Sequence, residues 1–287
     1  MTNRYLLLLF AFFLFCLPAN AQFGTGGSKG AKAVKDTELI VVLGYGADYN
    51  TAIKEAITKY WTFTKYKFIT GSEYKKYCDD PRYSLLLMFT LKDFAFVDEE
   101  YDDIGIVLGG KCRYSPYEML AYANMHVMNG SYYRAECVRA VQFMQNFLEM
   151  AMNESFPSDN YKAIYSKYNK SHSQLGDKQL VLQEEDLLEE YSTLAEVKKL
   201  YTHKVRFGGQ SEVDQATLEQ DENFVYTKLI FDVHGYKYRC AIQAKDSKIL
   251  YAIETQNREV ILMGKRTLRE LDDVNNKRNH NKFFLGF

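Results

Sequence analysis

Two glycine-containing segments have the spacing of nucleotide-binding loops, and each lacks a residue that the chemistry needs. Gly44-Tyr45-Gly46 follows an apolar run and precedes a helical pattern, where a dinucleotide fingerprint would lie, but Tyr49 stands in place of the third glycine. The run from Gly105 to Lys111 has the spacing of a phosphate loop, but Cys112 replaces the Ser or Thr hydroxyl that holds magnesium. The sequence therefore predicts no nucleotide and no other cofactor.

Acidic clusters are a second potential source of chemistry, since hard cations bind carboxylate oxygens. Segment 98–103 carries five carboxylates in six residues, but it has neither the alternate-ligand spacing nor the central glycine of a calcium loop. We interpret it as a solvated turn between two strands. A second cluster, at 184–190, stands at the start of a predicted helix, where exposed amides favour negative charge. No metal site is predicted.

Histidines and cysteines form no recognisable catalytic or metal-binding motif. The five histidines lack a short metal spacing, and neither a G-x-S-x-G elbow nor a C-x-x-C pair occurs. No catalytic residue is predicted, so the sequence favours a non-enzymatic protein; a hydrolase with dispersed catalytic residues is the alternative. We expect at most one disulfide, and three pairings are open to the cysteines that follow residue 21: Cys78, Cys112, Cys137 and Cys240.

Aromatic residues are unusually abundant, with 23 Tyr and 19 Phe in a chain that is 15% aromatic. Exposed tyrosine clusters favour recognition of protein or sugar, because the side chain is amphipathic and has few rotatable bonds, whereas buried ones cover sheet and helix seams. Adjacent residues lie about 100° apart on a helix, so Tyr132 and Tyr133 cannot both be buried on one narrow stripe. The predicted binding residues are Tyr114, Tyr117, Tyr132 and Tyr133.

Length and charge bound the class of protein. The chain has 287 residues, is 47% hydrophobic and 25% charged, and carries a formal net charge of −1. These values are typical of a globular protein and exclude a disordered chain, a collagen-like polymer and a multi-span membrane protein. A nucleic-acid partner is not expected, because phosphate binding needs a surplus of Lys and Arg on one face.

The first 21 residues have the pattern of a cleaved secretory signal peptide. Arg4 gives the positive start, Tyr5 to Leu17 is a short apolar stretch, and Ala19-Asn20-Ala21 provides small residues for cleavage before Gln22. The apolar stretch is shorter than the ~20 residues needed to span a bilayer. We therefore expect an exported chain, in the periplasm or outside the cell, with no transmembrane segment after cleavage.

One pattern of strands and helices occurs twice, about 140 residues apart. In both copies an apolar strand, a helix, a second strand and a short helix precede further strands. We infer an internal duplication, which requires Ser72 and Ser211 both to open the short helix after the second strand. The matched residues, first copy then second, are Val41-Val42 with Val181-Leu182, Phe68 with Phe207, Ser72-Glu73 with Ser211-Glu212, and Asp80 with Asp221.

A helical hairpin is predicted between the two copies, giving a mixed α/β protein whose two related strand–helix–strand units are joined by that hairpin. Ser115-Pro116 suits a helix start, helical spacing continues to Val127, and Asn129-Gly130 breaks it. A second helix is predicted from Tyr132 to just before Pro157. The predicted segments are signal peptide 1–21, flexible linker 22–37, first α/β unit 38–111, helical hairpin 112–153, linker 154–178, second α/β unit 179–256, and C-terminal helix and tail 257–287.

The stretch from Glu38 through Phe89, with its Asn50–Trp61 helix and the strand Tyr66-Lys67-Phe68-Ile69-Thr70, resembles secreted Tyr- and Lys-rich α/β proteins of unknown function from Bacteroidota. Its strand–helix–strand unit is also similar to periplasmic α/β modules of envelope assembly proteins. Neither resemblance implies an activity. The sequence thus predicts a secreted or periplasmic, non-enzymatic binding protein of the bacterial cell envelope, with a protein or glycan as partner.

Overall fold

The computed structural model of this protein describes residues 27–90, 102–115, 118–125, 133–154, 161–231, 237–255 and 262–273. The predicted signal peptide and the predicted binding residues Tyr117 and Tyr132 lie outside these ranges. Among the described residues, no helix combines the length and the apolar content needed to cross a membrane.

The first sheet has five strands in the order β2-β1-β3-β4-β5. The apolar run of β1 lies in the middle, parallel to β2 and β3, while β4 and β5 continue the sheet in antiparallel fashion. All but the first residue of β1 are buried, as expected for a strand that is covered on both faces. The elements of this part are α1 (Gly27–Lys35), β1 (Glu38–Leu43), α2 (Ala47–Tyr60), β2 (Tyr66–Thr70), a 3-10 helix (Gly71–Lys76), β3 (Tyr83–Thr90), β4 (Asp102–Leu108), β5 (Ala121–Met125) and α3 (Tyr133–Glu154).

The second sheet has the same arrangement, with strand order β7-β6-β8-β9-β10 and the same parallel and antiparallel pairings. The hairpin turn between its last two strands lies at 244–248. The elements are α4 (Tyr161–Asn169), a 3-10 helix (His172–Asp177), β6 (Gln179–Leu182), 3-10 helices (Glu184–Asp186 and Glu189–Tyr191), α5 (Leu194–Lys198), β7 (Val205–Phe207), α6 (Gln210–Glu219), β8 (Phe224–Phe231), β9 (Lys237–Gln243), β10 (Ile249–Thr255) and α7 (Lys265–Asp272).

Equivalent hydrogen bonds confirm the predicted duplication. The side chains of Asp80 and Asp221 each accept a hydrogen bond from the backbone N–H two residues further on, at 3.0 and 2.8 Å, so the same turn precedes β3 and β8. Ser72 and Ser211 are each the second residue of the short helix that follows the second strand, as the duplication requires. The mixed α/β class is therefore correct, and its two related units share one topology.

The two units stack in the same orientation rather than face to face. Leu39 and Leu180 begin the same ladder in the two sheets, since their N–H groups donate to the carbonyls of Lys65 and Lys204, both at 2.9 Å. Leu39 faces the layer of helices between the sheets, whereas Leu180 faces away from that layer. By this register the residue of the first unit that is equivalent to Val181 is Ile40 and not Val41. The predicted match between the two copies is therefore wrong by one residue in this strand.

The prediction of a helical hairpin is wrong in its first arm. Residues 121–125 form β5, an edge strand paired with β4, and all five are buried. A run that is buried on both faces has no polar alternation, so its period does not distinguish a strand from a helix. The second arm is α3, and it corresponds to α7: each follows the last strand of its unit and packs on the same face of its sheet. The described residues of segment 112–153 therefore belong to the first unit.

Both predicted linkers contain helices. Segment 22–37 includes α1, whose Ala31 and Val34 are buried against the central core, so the prediction of a flexible linker is wrong for Gly27–Lys35. Segment 154–178 includes α4, which lies along the edge strand β10. There the side-chain amide of Asn169 accepts from the N–H of Ala252 at 2.9 Å and donates to its carbonyl at 3.3 Å. These contacts occupy polar groups that an edge strand would otherwise expose.

Helix α3 lies between the two sheets and connects them. It packs against α1, α2 and β5 on one side and against α6 on the other. Its Asn146 donates to the carbonyl of Asp246 at 2.8 Å, and its Gln142 accepts from the hydroxyl of Ser247 at 2.8 Å, both in the turn between β9 and β10. The molecule is therefore layered, with helices between the two sheets and a further helix, α7, on the far face of the second sheet.

Candidate functional site

The two predicted binding residues that the structure describes, Tyr114 and Tyr133, lie at opposite edges of the first sheet. Tyr133 opens α3 and its ring centroid is 6.1 Å from that of Tyr49, in the first turn of α2, beside the carboxyl end of β1. The Tyr114 hydroxyl instead donates to the carbonyl of Cys78 at 3.1 Å, close to the amino end of β3. The predicted hairpin mouth is therefore not formed, because β5 separates the two positions.

Tyr114 is part of a larger group of tyrosines on the outer face of the first sheet. We call this group the tyrosine face; all of its members are half-buried and pack over the apolar side chains of β1, β3 and β4. The rings of Tyr77 and Tyr83 meet edge to face with centroids 5.1 Å apart. The members of the tyrosine face are Tyr74, Tyr77, Tyr83 and Tyr114.

Exposed cations lie over the rings of the tyrosine face. Lys67 is 5.1 Å from the Tyr77 ring centroid, and its ammonium donates to the Tyr77 hydroxyl at 2.7 Å. Arg82 lies 5.8 Å from the ring of Tyr83, and a third cation, Lys111, lies 5.7 Å from the Tyr114 ring. Each of these contacts is favourable because the ring face is electron-rich. The result is a surface on which aromatic rings and cations alternate, and two of these cations, Arg82 and Lys111, are also paired with the carboxylates of Asp80 and Glu118.

A disulfide fixes the turns that carry this surface. Cys78 and Cys112 are bonded across 34 residues of sequence, which settles the pairing that the sequence left open, and Cys137 and Cys240 are buried thiols. The Tyr114 hydroxyl bonds the carbonyl of Cys78, and the Tyr74 hydroxyl bonds that of Cys112 at 3.3 Å.

Burial and the neighbouring Tyr74 raise the pKa of Tyr114 to about 12, so this phenol stays neutral as a donor. The side chains of Cys78, Asp79 and Cys112 lie close enough together to hold a metal ion. Both sulfurs are committed to the disulfide, so they are not available as the thiolates that soft metals bind.

A second aromatic group lies at the carboxyl edge of the parallel strands. Among the residues that the structure describes, Tyr45 is the one large hydrophobic side chain that is exposed, at 41%. Its ring centroid lies 5.6 Å from that of Tyr49. It stands between Gly44 and Gly46, whose φ angles of 152° and 113° lie in the region that side chains disfavour. These glycines let the chain turn sharply between β1 and α2 while Tyr45 points outward.

A cluster of buried charges lies between α3 and the second sheet. Arg139 Nη2 donates to Glu136 Oε1 at 2.6 Å and to Asp214 Oδ1 at 3.3 Å. Lys228 Nζ donates to both oxygens of Glu136, at 2.9 and 3.1 Å. Gln210 Nε2 donates to Asp214 at 2.7 Å. Two cations and two carboxylates thus neutralise one another inside the protein, which is the condition for keeping buried charges. We call these four charged residues the buried charge cluster.

A cavity of about 30 Å³ adjoins the buried charge cluster. Glu136, Arg139 and Lys228 contribute to its polar wall, and Phe143 and Ile230 contribute to its apolar wall. Burial lowers the pKa of Lys228 to about 8, although the nearby carboxylate of Glu136 opposes the change. Such a volume holds one or two waters or a molecule of a few heavy atoms.

Sequence reasoning missed both the tyrosine face and the buried charge cluster. For the cluster a local signal existed: Lys228 interrupts the alternate core positions of β8, between Tyr226 and Ile230. The duplication gives a second signal. Tyr83 pairs with Glu38 in the first sheet and Phe224 pairs with Gln179 in the second, so Tyr83 and Phe224 are equivalent positions. Four residues further on, the residue of β3 that corresponds to Lys228 is Leu87. Lys228 is thus a charged residue at a position where the related unit has an apolar one. Such a departure from the local pattern is expected at a functional or strained site.

Comparison with known proteins gives no relative from which a function could be transferred. No family model matches the chain, and no curated protein and no solved structure matches it either.

Proposed function

We propose that the protein is a non-enzymatic binding protein of the bacterial cell envelope, exported to the periplasm or beyond, and that it recognises a protein or glycan through the tyrosine face. The observation that carries the proposal is the alternation of half-exposed tyrosine rings and exposed cations on one disulfide-fixed surface. Tyrosine and arginine are enriched where proteins bind their partners, because they offer large contact area and donors at low entropic cost.

The rigidity of the tyrosine face supports binding. Because Tyr74 and Tyr114 donate to backbone carbonyls of the two bridged cysteines, their rings are held before any partner arrives. A preformed surface loses less side-chain entropy on association than a mobile one. The ring faces can stack on sugar or on apolar side chains, while Lys67 and Arg82 place positive charge at the rim, Lys67 bonded to the Tyr77 hydroxyl and Arg82 paired with Asp80.

The disulfide also supports the exported location. A bridge between Cys78 and Cys112 persists in an oxidising compartment, whereas cytosolic thiols are kept reduced. Together with the signal-peptide pattern, this favours the periplasm or the extracellular space.

The alternative, a secreted hydrolase, is less well supported by the described residues. The two carboxylates of the buried charge cluster are engaged in contacts inside the protein, where they accept hydrogen bonds from charged or amide donors. The adjoining cavity of about 30 Å³ has no room for a peptide or glycosidic bond with its flanking groups. The binding proposal is therefore preferred.

The proposal is tested by capture from an envelope extract. Immobilised wild-type protein is compared with Tyr77→Ser combined with Tyr83→Ser, and bound protein and glycan are quantified separately. We expect the double variant to capture at least about tenfold less material than the wild type, because two central aromatic anchors are removed.

The matched control is Tyr60→Ser, because Tyr60 is also half-buried and also carries a cation over its ring, Lys59 at 4.9 Å, but lies on α2. It should capture as much as the wild type. Equal capture by all three proteins, with unchanged melting temperatures, would rule out the tyrosine face as the binding surface.

A further inference from the structure

The buried charge cluster contains an amine in a setting suited to covalent chemistry. The Lys228 side chain is 15% exposed and lines the cavity, so a small molecule can reach it. Among the described residues, the carboxylate that its ammonium contacts is that of Glu136. In the related unit the corresponding position is Leu87, which is buried in an apolar core. A lysine is therefore not needed at this position for the sheet to form; in the second unit it pairs with Glu136 of α3 and also lines the cavity.

We propose that Lys228 is a reactive amine that binds a small aldehyde in the adjoining cavity as an imine. In the reaction, the neutral amine adds to the aldehyde carbon to give a carbinolamine, which loses water to form the carbon–nitrogen double bond. Starting from the ammonium form, the lysine nitrogen gives up two hydrogens, the aldehyde gives up its oxygen, and these leave as one water. No oxidant or reductant is consumed.

Charge balance in the cluster favours this product. The protonated imine carries the same single positive charge as the ammonium, so Glu136 keeps a cationic partner and no buried carboxylate is left uncompensated. Glu136 is also placed to receive a proton from the attacking amine and to return it to the departing hydroxyl, because both of its oxygens lie within 3.1 Å of the lysine nitrogen.

The cavity selects the size and polarity of the aldehyde. Ala123, Phe143 and Ile230 supply an apolar wall for its carbon chain. The volume of about 30 Å³ limits the ligand to a few heavy atoms. Burial lowers the pKa of Lys228 to about 8, so a substantial fraction of the amine is neutral near neutral pH, whereas almost all of an ordinary lysine is protonated.

Reductive trapping tests the proposal on the intact chain. The protein is incubated with acetaldehyde and cyanoborohydride near pH 7.5, digested, and the rate of alkylation at Lys228 is compared by mass spectrometry with that at Lys75, which is exposed on the 3-10 helix. We expect Lys228 to react at least about tenfold faster, because burial lowers its pKa and the cavity holds the aldehyde beside its nitrogen. A rate equal to or below that of Lys75 would overturn the proposal.

Two comparisons test whether fast alkylation of Lys228 depends on the cavity or only on the reactivity of its amine. Benzaldehyde, which is too large for the cavity, should alkylate Lys75 and spare Lys228. Ala140→Leu, which places a larger side chain on the cavity wall, should abolish the fast alkylation of Lys228 by acetaldehyde and leave Lys75 unchanged. If this variant does not fold, the benzaldehyde result with the wild type still decides, since fast alkylation of Lys228 by both aldehydes would show that the cavity selects nothing.

Discussion

Replacing Arg139 by methionine should show how strongly the buried charge cluster holds α3 to the second unit. The side chain is 5% exposed, and methionine keeps much of its apolar stem, so the change removes mainly the charge and its hydrogen bonds. Glu136 would still be paired with Lys228, but Asp214 would keep only the Gln210 amide. The variant therefore removes the contacting cation from one buried carboxylate, that of Asp214.

The expected magnitude follows from the burial of that carboxylate. Breaking a buried pair by removing one partner costs about 3–5 kcal/mol, and we expect about 3 kcal/mol here because Glu136 retains its second cation. The matched control is Arg206→Met. Arg206 also pairs with a carboxylate and lies 5.5 Å from an aromatic ring, but 37% of its side chain is exposed, so the variant should lose no more than about 1 kcal/mol.

Urea denaturation at neutral pH measures both variants. Far-UV circular dichroism follows both units, and the fluorescence of Trp61, the single tryptophan, follows the central core, where this side chain is 4% exposed. Arg139→Met combined with Asp214→Asn should recover at least about 1 kcal/mol, because the uncompensated charge is removed. Equal stability of Arg139→Met and Arg206→Met would refute the reasoning, since the buried carboxylates would then not depend on Arg139.

Three further predictions concern the disulfide, the buried lysine and a close backbone contact. Cys78→Ser with Cys112→Ser should lower the free energy of unfolding by about 3–4 kcal/mol, because the bridge closes a loop across 34 residues; urea denaturation of the variant and of reduced wild type should agree. The stability of wild type relative to Lys228→Met should rise by about 2 kcal/mol between about pH 7.5 and 9.5, since the folded state, with its lowered lysine pKa, releases the proton before the unfolded state does; a flat difference in paired denaturation curves would contradict this. Gly109→Ala should lower the melting temperature with a loss of about 1–3 kcal/mol, because the added carbon would lie 2.2 Å from a backbone carbonyl oxygen, and an unchanged melting curve would be evidence against this packing.

The duplication could be predicted because it leaves local signals in each copy. The turn before the third strand needs an aspartate whose side chain reaches the backbone two residues on, and Asp80 and Asp221 both satisfy it. The short helix after the second strand begins one residue before Ser72 and Ser211. Signals of this kind depend on neighbours in sequence, so a single sequence shows them.

The sites could not be predicted in the same way. The buried charge cluster draws its members from α3, α6 and β8, and nothing in the local sequence brings Glu136 near Lys228. The tyrosine face combines Tyr74 with Tyr114, which meet because β4 returns the chain to the start of β3 and the disulfide closes the turn. The prediction of a helix at 115–127 instead placed Tyr114 beside a helical hairpin. That prediction arose because a doubly buried strand and a buried helix have similar composition.

Stacking two units in the same orientation gives the molecule two different ends. A pair of units related by a two-fold axis is closed, but units related by translation present unlike surfaces, so the arrangement can be extended by a further unit at either end. Repeat proteins with this property need terminal caps to remain monomeric. Here the disulfide-fixed turn closes one end and α7 closes the other. The tyrosine face and the disulfide-fixed turn thus lie at one end of the stack and α7 at the other, so opening the disulfide changes one end of the molecule and leaves the other end covered.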